Sequence, residues 1–103
     1  VSDLSLQAKI FELISNLRDT AMRIDVATTI SFLSDLFNMG RISEEELRDS
    51  LSDVCMTVFK ETKKNLDTEI LKELVDKTVE DLVTVIKLTG IRRRVSARYG
   101  LRL

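Results

Sequence analysis

Apolar residues recur along this chain at intervals of three and four, the period of one face of an α-helix. The first run extends from about Ser5 to Ile24 and places Leu6, Ile10, Leu13, Ile14, Leu17, Ala21 and Ile24 on one stripe. The next set, Val26, Ile30, Leu33 and Phe37, would lie roughly 170° around the axis if that helix continued at about 100° per residue. This phase change predicts a tight turn or sharp kink near Asp25, whose carboxylate would cap a second helix. A continuous helix held between two neighbours would give the same pattern.

The best-marked boundary is Gly40-Arg41-Ile42-Ser43-Glu44-Glu45-Glu46-Leu47. Gly40 can adopt the left-handed conformation that closes a helix, Ser43 and Glu46 have capping-box spacing, and Ile42 and Leu47 stand where a hydrophobic staple requires them. A third helix is expected from Glu44 to about Lys64, burying Leu47, Leu51, Val54, Cys55, Val58 and Phe59 and ending at Asn65. A fourth is expected from a cap at Asp67 or Thr68 to Thr89, before Gly90. Its apolar residues, Ile70, Leu71, Leu74, Val75, Val79, Leu82, Val83, Val85, Ile86 and Leu88, span roughly 220° of the circumference, where an arc of about 100° is enough to cover one side of a core. Such a helix is either central or meets another subunit.

Beyond Gly90 the pattern changes. From Val95 to Leu103 apolar and polar residues alternate, with Val95, Ala97, Tyr99, Leu101 and Leu103 on one side, which is the period of a strand. Leu88, Ile91, Val95 and Tyr99 also keep helical spacing across Gly90, so a helical continuation competes with the strand reading. Charge changes at the same place. Residues 1–90 hold 11 basic and 17 acidic side chains, whereas the last 13 hold five arginines and no acid.

Composition narrows the chemistry. At 103 residues the chain fits one domain, with 44% apolar residues, few aromatics and no proline, as packed aliphatic helices require. The chain has no histidine, which removes the commonest general base and a frequent metal ligand. Its single cysteine, Cys55, falls on the apolar stripe of the third helix and reads as a structural thiol. Carboxylates line up on the fourth helix (Glu69, Glu73, Asp76, Glu80) and on the third (Glu46, Asp49, Asp53), opposite the core-facing residues, and so read as solvated faces. Phosphate-loop, nucleophile-elbow and zinc spacings are absent. The near balance of 16 basic and 17 acidic residues gives the whole molecule no strong field. The lone cysteine and the lack of a signal-like leader or a spanning apolar run point to a cytoplasmic setting.

The expected fold is therefore all-α, an antiparallel four-helix bundle over residues 1–90, with the second helix shortest, the fourth longest, and a basic C-terminal arm over 91–103. The expected role is non-enzymatic, without cofactor, metal or small-molecule substrate: a protein-interaction module, self-associating with a dimer favoured, serving as an accessory subunit or adaptor. The residues expected to meet a protein partner are Val95, Tyr99, Leu101, Leu103, Val79 and Val83. The rival expectation is nucleic-acid binding through Arg92, Arg93, Arg94 and Arg98, with Tyr99 available to stack on a base.

Overall fold

The computed structural model describes residues 5–99, and among these the secondary structure is entirely helical: α1 (Leu6–Ile14), α2 (Thr20–Asn38), α3 (Glu44–Thr62) and α4 (Thr68–Tyr99). Of the expected arm, Leu101 and Leu103 lie outside the described residues.

The first boundary falls earlier than its hydrophobic period suggests. Ser5 caps α1 by accepting from the Ala8 N–H at 3.1 Å, and the helix ends at Ile14, with Ser15 as its C-cap. Asp19, not Asp25, then caps α2, its carboxylate accepting from the N–H groups of Ala21 at 2.9 Å and Met22 at 3.4 Å. Both aspartates are competent caps. Because Asp19 starts the second helix, α2 has 19 residues and α1, with nine, is the shortest. The apparent single stripe from Leu6 to Ile24 is thus split: Leu17 is buried in the turn, whereas Ile24 is 59% exposed on α2.

The α2–α3 boundary follows its local chemistry. Gly40 has φ +74°, its N–H donates to the Phe37 carbonyl at 3.0 Å, and the Arg41 N–H donates to the Leu36 carbonyl at 2.9 Å. These two bonds form a Schellman motif. Ser43 and Glu46 close the capping box reciprocally at 3.0 Å each way, and the bonds from Ser43 hold the Glu46 carboxyl below its ordinary pKa. Leu47 is fully buried beneath a half-buried Ile42. At its other end α3 stops at Thr62, with Lys63 rather than Asn65 as the capping residue.

The core is assembled around α4, which packs against all three other helices. Ile30, Leu47, Leu51, Cys55, Val58, Leu82, Val83 and Ile86 are its most deeply buried side chains. The wide apolar arc of α4 is consumed here. Leu71, Val75, Val79, Leu82, Val83, Val85 and Ile86 are all buried by the chain itself, while Ile70 remains 51% exposed. On the outside, Arg48 joins Glu44 at 3.0 Å and also pairs with Glu80, while Lys87 reaches Glu44. Lys87 first and Arg48 second hold the Glu44 carboxyl below its ordinary pKa.

Gly90 does not end α4. It is a buried position inside a helix that continues for nine more residues. A Cβ built there would stand 2.3 Å from Asn38 Oδ1 and 2.8 Å from Asn38 Cγ, so the glycine makes room for the last side chain of α2. That side chain donates from Nδ2 to the Ile86 carbonyl at 3.2 Å.

Candidate interaction surfaces

Continuation of α4 decides between the two periods read beyond Gly90. In a helix, residues two apart stand about 200° apart, so Val95 and Ala97 cannot share a face. Ala97 instead lines an open groove of about 650 Å³ with Ser5, Leu6 and Gln7 at the start of α1, Ser31 and Asp35 on α2, and Thr89, Arg92, Arg93 and Ser96 on α4. Arg93 donates to Asp35 Oδ1 at 3.0 Å across this groove and ties the end of α4 to α2.

The helical spacing is the one that is used. Leu88, Ile91 and Val95 fall on the side of α4 away from its core residues. Leu88 is half-buried, Ile91 is 48% exposed and Val95 is 39% exposed. Arg94 and Arg98 flank this stripe on one side and Arg92 on the other, at about 100° per residue. Tyr99 is placed by its backbone as the last residue of α4.

The remaining residues expected to meet a partner are located differently. Val79 and Val83 are only 4% and 2% exposed, packed in the chain's own core, and so are not on a free face. The width of the apolar arc is explained by the three helices around it. Among the arginines of the rival expectation, Arg92 and Arg94 are exposed with no ion-pair partner among the described residues, whereas Arg93 is held by Asp35.

A second surface was not anticipated. On α2 and at its C-cap, Ile24, Phe32 and Met39 are 59%, 61% and 64% exposed, and they lie on the face opposite Val26 and Ile30. The signal was present in the sequence. Phe32 is out of phase with Val26, Ile30 and Phe37, and Ile24 joins it once the helix starts at Thr20. Asp25, seven residues before Phe32, and Asp35 bring charge to that side of the helix.

The polar groups offer little chemistry of their own. Cys55 is completely buried, and burial pushes its thiol up to about 12, so it is protonated and inert at neutral pH. Glu69, Glu73, Asp76 and Glu80 on α4, and Glu46, Asp49 and Asp53 on α3, are exposed. Among the described residues no cluster of three or more potential ligands could hold a metal ion, and no helix is long and apolar enough to cross a membrane. Comparison with protein-family models finds no match, and neither the curated proteins nor the solved structures give one.

Proposed function

We propose that this chain is a non-enzymatic protein-interaction module, a small self-associating subunit or adaptor, built as an antiparallel four-helix bundle whose basic last segment extends α4. One observation carries the reading. Five of the eight large apolar side chains left exposed among the described residues are grouped at helical spacing, Ile24 and Phe32 on α2 with Met39 at its C-cap, and Ile91 and Val95 on α4, while Phe11, Leu66 and Ile70 lie elsewhere. The antiparallel arrangement is supported for α3 and α4 by their ion pairs, in which Glu44 meets Lys87 while Arg48 meets Glu80, so numbers rise on one helix as they fall on the other. The inert thiol of Cys55 accords with a reducing, cytoplasmic setting.

Sedimentation at micromolar concentration tests the reading. The expected result is association of the native chain, weakened when Ile91 and Val95 are both replaced by Asp while helical content by circular dichroism is retained. A monomer at all concentrations, with no protein captured by an affinity matrix carrying the chain, would reject it.

A second reading rests on Arg92 and Arg94, exposed in a stretch of α4 that has no acid after Asp81. Nucleic-acid binding through these arginines predicts affinity for generic DNA or RNA that falls steeply with salt. Replacing Arg92 and Arg94 by Ala should then abolish binding, whereas the apolar replacements should leave it intact.

A further inference from the structure

One exposed face of α4 carries a charge pattern that reverses about its midpoint. Counting outward from the Val83–Thr84 bond, Glu80 and Lys87 are each the fourth residue, Asp76 and Ile91 the eighth, Glu73 and Arg94 the eleventh, and Glu69 and Arg98 the fifteenth. At about 100° per residue these eight positions fall within one strip roughly 60° wide. All eight are exposed. Three of the four positions on the N-terminal side therefore have a basic residue at the same distance on the other side, and the fourth, Asp76, has Ile91. The strip has no position where like charges correspond.

Building on the self-association proposed above, we infer that the occupant of this face is a second copy of the same chain, its α4 lying antiparallel to the first. A two-fold axis through the middle of the strip then sets Glu73 against the partner's Arg94, and Glu69 against the partner's Arg98, each twice over. A parallel pairing would instead set acid on acid at one end and arginine on arginine at the other, so charge fixes the direction. The centre of the strip is already engaged within the chain. Glu80 and Lys87 pair with Arg48 and Glu44, which makes α3 one wall of the surface and leaves recognition to the outer positions. Glu69, Glu73, Asp76 and Arg94 have no ion-pair partner within the chain among the described residues. Ile91 lies between Lys87 and Arg94 on the strip, with Val95 at its edge, and together they supply apolar area to a contact that charge pairs alone would hold weakly.

Charge reversal tests this with the full chain. Glu73→Lys alone and Arg94→Glu alone each convert two attractive pairs into two repulsive ones, raising the dimer dissociation constant by roughly thirtyfold. An equimolar mixture of the two variants, and a single chain carrying both, restore opposite charges across the axis and are expected to associate as the native chain does. Both residues are exposed, and circular dichroism verifies that each variant keeps its helices. Sedimentation at low salt reads these four samples beside the native chain. If the native chain associates and neither single variant is weakened, or the doubly reversed chain is no tighter than the singles, the antiparallel α4 contact is wrong while self-association stands on another face. A native chain that stays monomeric removes both.

Discussion

Gly90→Ala is a substitution for which helix propensity and packing predict opposite signs. In an exposed helix interior, alanine in place of glycine stabilises by about 1 kcal/mol. Here the added methyl would stand 2.3 Å from Asn38 Oδ1, well inside contact distance. Asn38 must swing away and give up its 3.2 Å bond to the Ile86 carbonyl, a loss of about 1 kcal/mol. Crowding between α2 and α4 adds about 2 kcal/mol, within the usual range for a methyl forced into a packed site. Net destabilisation of about 2 kcal/mol is expected. Shortening the obstructing side chain reverses the sign: with Asn38→Ala already in place, Gly90→Ala should stabilise by about 1 kcal/mol, for a coupling of about 3 kcal/mol between the two sites.

Urea unfolding of the native chain, the two single variants and the double variant closes this cycle. Both signs require that α4 pass Gly90 as a helix with Asn38 against it. A Gly90→Ala variant more stable than the native chain, or a coupling near zero, would refute that placement, because a glycine that merely terminates α4 has no reason to sense Asn38.

Four further outcomes are expected. Asp19→Ala and Ser43→Ala should each lower stability by about 1 kcal/mol in thermal or urea melts, whereas Asp25→Ala, inside α2, should stay within about 0.5 kcal/mol of native. The Ser34 hydroxyl is buried and meets no hydrogen-bond partner among the described residues, so Ser34→Ala should leave stability unchanged or raise it by up to about 1 kcal/mol; a loss above that size would reveal a bond to Oγ. The Cys55 thiol, pushed up to about 12 by burial, keeps its proton in the folded state while an unfolded thiol ionises near 8.5, so its contribution is whole below about pH 8.5 and is lost as pH rises towards 12. The urea midpoint should therefore fall more between pH 7 and 10 in the native chain than in Cys55→Ala, and parallel curves would contradict the buried-thiol assignment. Val83→Ala, in the core, should lower stability by about 2 kcal/mol without a separate effect on association, whereas Val95→Ala should leave stability within about 0.5 kcal/mol and weaken association.

How far the sequence could be read depended on how local the deciding interaction is. Gly40, Ser43 and Glu46 satisfy backbone groups within a few residues of themselves, and the α2–α3 boundary was legible for that reason. The α1–α2 boundary turned on a choice between two equally suitable aspartates. Hydrophobic period favoured Asp25, because Leu17 and Ile24 fit a single stripe only if the helix between them is unbroken. Gly90 was misread for a different cause. A glycine after a long apolar run looks like a terminator, and its actual partner, the Asn38 side chain, belongs to another helix. Val79 and Val83 show the same limit for the candidate surface. An apolar arc measures how much of a helix is covered, not whether its own chain or another covers it.

With the broad arc of α4 covered by its own core, only what that core leaves over is open to a partner. A helix of 32 residues is about 48 Å long, so it must outrun any shorter helix beside it, and α1, at nine residues, spans about 14 Å. The last turns of α4 are therefore held from one side, by Arg93 on Asp35 and by the groove against the start of α1. Their other side carries Ile91 and Val95 in water. Charge has the same division: the acids of α4 stop at Asp81, where it is most enclosed, and its arginines begin at Arg92, where it is least enclosed. Length, exposed apolar residues and reversed charge thus bear on the same end of one helix, and each is accounted for if that end lies against the acidic beginning of another α4.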